Sequence, residues 1–142
     1  MSQVDFYVLT AAGDGARQHF ACRLAEKAYR LDNRVHIHVS DDDAVRRIDD
    51  LLWTFRDGSF VPHEVVGDHV EAPEAPVTIS CHSLPEPAVD LLINLADEVP
   101  EKADSFPRVA EVVSSDSDCK AESRKRFVAY RDQGHTLDTH NL

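Results

Sequence analysis

Four side chains near the C-terminus carry the clearest chemistry in this sequence. Lys120, Arg124, Phe127 and Arg131 stand at i, i+4, i+7 and i+11. On a helix, at about 100° per residue, they fall within about 60° of one another. They make a basic stripe with an aromatic ring in its middle, on a chain of formal net charge −11. An Arg124 guanidinium would fork onto a carboxylate, and the Phe127 ring would line a pocket. That pairing suits a short acidic peptide with an apolar tip. The competing reading is a solvated helix face whose cations complement the C-terminal dipole end.

A second group is apolar. Trp53, Phe55, Phe60, Val61 and Pro62 lie within ten positions, and Trp53 is the single tryptophan. Phe55 continues the Val45, Ile48, Leu52 stripe of a helix, and Trp53 projects about 160° away from it. One helix face cannot bury both rings, so core and interface are both open for the surplus aromatics.

Other constellations are weaker. Gly13-Asp14-Gly15 follows an apolar run and precedes a helix, as a dinucleotide fingerprint would. The third glycine is replaced by Gln18, so a plain turn is the better reading. His36 and His38 share a strand face, but no third zinc ligand follows by spacing. Asp41, Asp42 and Asp43 could hold magnesium at a strand end, but helix capping already accounts for them. There is no nucleophile elbow, P-loop or HExxH. No catalytic residue, metal or cofactor is expected.

These residues need elements to position them. Val4 to Leu9 reads as a buried strand, and an amphipathic helix from Ala16 to about Leu31 follows, with Phe20, Leu24, Ala28 and Leu31 as its apolar face. Arg34 to Ser40 alternates strictly, with Val35, Ile37 and Val39 on one face. Asp41 to Asp43 start a second helix through Trp53. Phe60 to His63 is a loop or edge piece, and residues 67–76 form a flexible loop. Val77 to Ser80, Asp90 to Leu95 and Arg108 to Ser114 are strands, with a polar connector from Val99 to Pro107. Ser115 to Asp118 supply cap residues for the last helix, which runs from Lys120 to about Gln133 and ends at Gly134. Residues 135–142 are expected to be a flexible polar tail. Strands alternating with helices point to a single α/β domain over residues 1–142, Rossmann-like, with a mainly parallel sheet flanked by helices.

Composition agrees. At 142 residues and 42% hydrophobic, the chain can bury one core. The net negative charge opposes non-specific binding of nucleic acid. Cys22, Cys81 and Cys119 are odd in number and widely spaced, which fits reduced thiols rather than a disulfide framework. No signal peptide and no membrane span are visible, so the expected location is cytoplasmic.

The chain resembles the chi subunit family of bacterial DNA polymerase III over nearly its whole length. The residues that carry the resemblance are the N-terminal Asp5-Phe6-Tyr7-Val8-Leu9, Leu51-Leu52-Trp53 followed by Ser59-Phe60-Val61-Pro62-His63, Asp90 to Leu95, and Arg124 to Gly134. The resemblance implies a Rossmann-like fold without enzymatic activity, in an accessory subunit of the clamp-loader complex. It implies two partners: the psi subunit, and the acidic C-terminal tail of single-stranded DNA-binding protein. It assigns Trp53, Phe60, Val61 and Pro62 to psi, and Lys120, Arg124, Phe127 and Arg131 to the tail, with Ser114 to Asp118 flanking that site. It leaves room for a helicase on the Trp53 surface. No direct contact with nucleic acid or membrane is implied. A small nucleotide-binding α/β enzyme is the alternative.

Overall fold

The computed structural model describes residues 2–67 and 74–142. The strands are β1 (Gln3–Val8), β2 (Val35–His38), β3 (His63–Val65), β4 (Val77–Ser80), β5 (Leu91–Asn94), β6 (Arg108–Val113) and β7 (Thr136–Asn141). The helices are α1 (Asp14–Arg30), α2 (Asp42–Thr54) and α3 (Ser117–Asp132), with a short 3-10 turn at Ala103–Ser105. The strands form one sheet in the order β3-β4-β2-β5-β6-β1-β7, and every pairing is parallel. The expected α/β architecture is therefore the observed one. Among the described residues no helix is long and apolar enough to cross a membrane.

Parallel strands covered on both sides must be apolar on both faces. In β5, Leu91 and Ile93 join the core under α1 and α2, and Leu92 joins the core on the opposite face. The first core takes Ala21, Cys22, Ala25 and Ala28 from α1 and Val45, Ile48 and Leu52 from α2. Small residues on α1 let it lie close to the sheet. Phe20 and Leu24 pack only at its margin, and Leu31, expected on the apolar face, caps the helix at 66% exposure. The second core joins Val4, Phe6, Leu92, Val109 and Val113 to Tyr130 of α3. The Val99–Pro107 connector contributes Ala103 and Phe106 to it, so it is a cover for the sheet rather than a surface loop.

At α2 the cap is as the sequence reads: the Asp41 carboxylate accepts from the Ala44 amide at 2.8 Å. The expected flexible tail is instead β7, paired with β1 in the register Val4↔Leu137 and Phe6↔Thr139. Backbone bonds close both ends, Thr136 N–H to Ser2 O at 3.1 Å and Leu142 N–H to Val8 O at 3.0 Å. Side chains add Gln3 to Asp138 at 2.7 Å and His140 to Asp5 at 2.9 Å, with the His140 ring stacked on Tyr7. A loop expected over residues 67–76 lies mostly outside the described residues.

His36 lies in the sheet with no exposed surface. Its ring nitrogens meet Thr78 Oγ1 at 2.6 Å and Ser80 Oγ at 2.9 Å, so neither is left for a metal. Burial, helped by the neighbouring His38, lowers its pKa from 6.5 to about 3. The folded chain keeps this imidazole neutral, while the unfolded chain protonates it below 6.5. Stability from His36 is thus complete above that pH and is lost as pH falls, by up to about 1.4 kcal/mol per unit. The stability gap between wild type and His36→Gln should narrow by about 2 kcal/mol between pH 7 and pH 5. Urea unfolding at the two pH values measures it, and a constant gap would place the pH dependence elsewhere.

Candidate protein-binding interface

α3 carries little apolar surface of its own. Its buried residues are Ser123, Arg126 and Tyr130. A polar cluster holds it, alongside the Tyr130 and Phe127 rings on the second core. Glu111 of β6 has no exposed surface and accepts from Arg126 Nε at 3.0 Å, Tyr130 Oη at 2.7 Å and Asn94 Nδ2 at 2.9 Å. Arg126 Nη1 also donates to Asp97 O at 3.0 Å, and Asn94 to Glu98 O at 3.2 Å. Burial pushes the Glu111 carboxyl up, and Arg126 and the other donors pull it back. Burial and the adjacent carboxylate likewise push the Tyr130 hydroxyl above its usual range.

With Arg126 and Tyr130 facing the sheet, the stripe takes the flank of the helix. Phe127 is half-buried, its ring 5.4 Å from Phe6 and packed on the second core beside Val8, Leu137 and Cys119. Arg124 and Arg131 are exposed and Lys120 is half-exposed. Arg131 has only its neighbour Asp132, at 3.5 Å. Neither the Lys120 nor the Arg124 side chain has a hydrogen-bond or ion-pair partner among the described residues. The structure thus brings the four together as a cationic strip with one apolar ring seated in the sheet.

Of Ser114 to Asp118, Ser117 stands three residues before Lys120 in the first turn of α3, on the side of the strip. Asp116 turns away from α3 and accepts from the Gly13 amide at 2.7 Å and from Ser114 Oγ at 2.8 Å. These contacts hold its carboxyl below the usual range. The cleft it lines, with Asp14, Asp97, Glu122 and Arg126, opens on the opposite flank of the helix.

The aromatic group divides. Trp53 is 57% exposed and Phe60 61%, with ring centroids 5.5 Å apart. The His63 ring meets Trp53 edge-on at 4.9 Å, and its Nε2 lies 3.2 Å from the Asp49 carboxylate. Pro62 is half-buried beside them. Val61 departs from expectation: it is fully buried in the first core, because the chain must dip to the sheet to enter β3. Phe55 is buried in the same core. Val65, 51% exposed, shares the His63 face of β3 and enlarges the patch. Alternation from His63 was the signal for it in the sequence.

The crevice at the strand ends, the usual ligand site of this architecture, stays open as a cavity of about 200 Å³ beside Arg17, Val39, Ser40 and Leu95, but several of its polar groups are satisfied from within. Arg17 donates to Val112 O at 2.9 Å and Leu95 O at 3.1 Å and pairs with Asp14 at 3.3 Å. The Asp116 carboxylate already takes the Gly13 amide, where a pyrophosphate would bind. The three aspartates diverge: Asp41 caps α2, Asp43 pairs with Arg46, and Asp42 faces Cys81.

The sequence pattern of the family described as DNA polymerase III chi subunit, HolC, matches residues 1–138. The chain belongs to this family. It is 41% identical over 142 residues to the DNA polymerase III subunit chi of Pseudomonas aeruginosa, covering 100% of this chain and 98% of the relative. Identity to the subunit chi of Haemophilus influenzae is 33%, covering 96% and 95%, and to that of Escherichia coli 32%, covering 98% and 97%. Among solved structures, T4 UvsW matches with a TM-score of 0.66 at 8% identity, covering 99% of this chain and 41% of that one. That likeness concerns the fold alone. In this chi-family chain the strip depends on the buried pair behind it. Arg126→Met should cost about 3–5 kcal/mol, because Glu111 is left charged and unpaired in the interior. Adding Glu111→Leu should restore more than half of the loss in chemical denaturation; no recovery would mean that the pair is not what anchors α3.

Proposed function

We propose that this chain is a non-catalytic accessory subunit of the clamp-loader complex of the DNA polymerase III holoenzyme, acting in the cytoplasm. It bridges the psi subunit and the acidic C-terminal tail of single-stranded DNA-binding protein. Trp53, Phe60 and Pro62 hold psi, with Val65 at the margin. Lys120, Arg124, Phe127 and Arg131 hold the tail. The observation that carries the reading is the cationic strip: two side chains without internal partners beside a half-buried ring, on a chain of net charge −11.

Arg124 pairs with a tail carboxylate, and Lys120 and Arg131 supply the local field. Each exposed pair contributes at most about 1 kcal/mol, so contact with the Phe127 ring must supply much of the rest. A micromolar complex, about −8 kcal/mol, fits that sum. The aromatic patch stands near β3 and the strip beside α3 and β7, at opposite ends of the strand order. That separation favours simultaneous engagement of two partners. A helicase using the Trp53 surface would compete with psi. The internal engagement of Arg17 and of the Gly13 amide counts against the nucleotide-binding enzyme.

Arg124→Ala should weaken binding of a tail peptide about fivefold in calorimetry and leave co-elution with psi intact. Trp53→Ala should do the reverse. Wild-type tail affinity should fall as salt rises. Unchanged tail affinity in Arg124→Ala would overturn the tail assignment, and wild-type co-elution of Trp53→Ala the psi assignment.

A further inference from the structure

A cluster apart from both surfaces has the chemistry of a metal site. Cys81 and His82 follow β4 directly, and Asp42 opens α2. The Asp42 carboxylate, the Cys81 sulfur and a His82 ring nitrogen all lie within 4.8 Å of one another. The Cys81 thiol donates to Asp42 Oδ1 at 3.3 Å. We propose that Asp42, Cys81 and His82 form a binding site for a divalent transition-metal ion of the zinc class.

Ligand type selects the ion. One thiolate, one imidazole and one carboxylate are a borderline-soft set that suits zinc or cobalt(II), whereas magnesium and calcium take oxygen donors. Tetrahedral bonds of about 2.0–2.3 Å require the donors to close up slightly from their present spacing. Asp42 and His82 are exposed and can make that adjustment, while Cys81 is half-buried against the first core and fixes the position. The fourth position is left to water, as in open zinc sites.

The local charge favours a cation. The Asp42 carboxylate lies against the Cys81 sulfur and supplies negative charge at the site. An entering ion takes over the Asp42 oxygen and displaces the thiol proton to solvent. Asp43, next in sequence, is neutralised by Arg46. His36 takes no part, since Thr78 and Ser80 occupy its ring. The site joins the end of β4 to the start of α2, so a bound ion ties the helix that carries Trp53 to the sheet.

Cobalt(II) added to the reduced, metal-free full chain tests this directly. One equivalent should bind with a sulfur-to-cobalt charge-transfer band, and zinc should displace it. Cys81→Ser should abolish the band, and Cys119→Ser should leave it intact. Asp42→Asn and His82→Ala should each weaken zinc at least tenfold against a chromophoric chelator. A missing band, a band that survives Cys81→Ser, or unchanged zinc affinity in both Asp42→Asn and His82→Ala would overturn the proposal. Tail and psi binding are read separately, so failure here leaves the adaptor reading untouched.

Discussion

Glu111 and Arg126 face each other across 3.0 Å with 0% and 4% of their side chains exposed, and the orientation of α3 depends on them. Desolvating either ion alone would cost several kcal/mol. The helix therefore has one rotational setting in which Arg126 reaches Glu111 while Tyr130 and Asn94 complete the carboxylate's hydrogen bonds. A turn of one residue, about 100°, would bury a charge without a partner and lift Phe127 off Phe6. An apolar stripe would be more forgiving, since leucines slide over one another at little cost. The polar anchor thus fixes which flank of α3 meets solvent, and the Lys120–Arg124–Phe127–Arg131 strip is that flank.

The same economy of cations runs through the molecule. Arg17 and Arg126 point inward, and strand or loop carbonyls absorb their remaining donors. Arg46, Lys102 and Lys125 are matched by nearby carboxylates at the surface. Lys120 and Arg124 are unmatched among the described residues, as are Arg23 and Lys27 on α1 and Arg47 on α2, but the α3 pair stands beside the half-buried Phe127 ring. On a body of net charge −11, a polynucleotide meets repulsion over most of its approach. A short peptide with a few acidic residues can stay within the strip's own field, which falls off over about 8 Å at physiological salt. On the proposed function, that contrast in ligand size is what selects a protein tail over a nucleic-acid strand.

The strand–helix order, the α2 cap and the split between Phe55 and Trp53 were legible in the sequence because each is a local pattern. Periodicity assigns a face, and an aspartate before an apolar run assigns a helix start. β7 was not legible. Its residues, TLDTHN, offer one partly buried apolar side chain, Leu137, and the strand is held by backbone bonds to β1 from more than a hundred residues away. Val61 was misread for a related reason. Its neighbours are the exposed Phe60 and the half-buried Pro62, and only the path into β3 turns Val61 to the core. Nor could Glu111 and Arg126 be joined from spacing, though a lone glutamate inside RVAEVV was the hint that a buried partner existed. Asp116 sits where a helix cap is expected, yet its carboxylate serves Gly13 across the fold.

A parallel sheet offers one ready-made binding place, the crevice beyond its strand ends, where helix N-termini and free carbonyls converge. Here Arg17 satisfies the carbonyls of Leu95 and Val112, and Asp116 satisfies the amide of Gly13. A phosphate brought to this place would displace one carboxylate and face another, Asp14, without gaining a free donor from Arg17. Internal satisfaction of these groups deprives the crevice of the free Gly13 amide and Arg17 donors a phosphate would need, while the outer surface keeps the cations of α3 and the exposed Trp53 and Phe60 rings. A parallel α/β backbone alone does not decide what is bound. The side chains that satisfy the crevice's polar groups, and those left unmatched outside it, do.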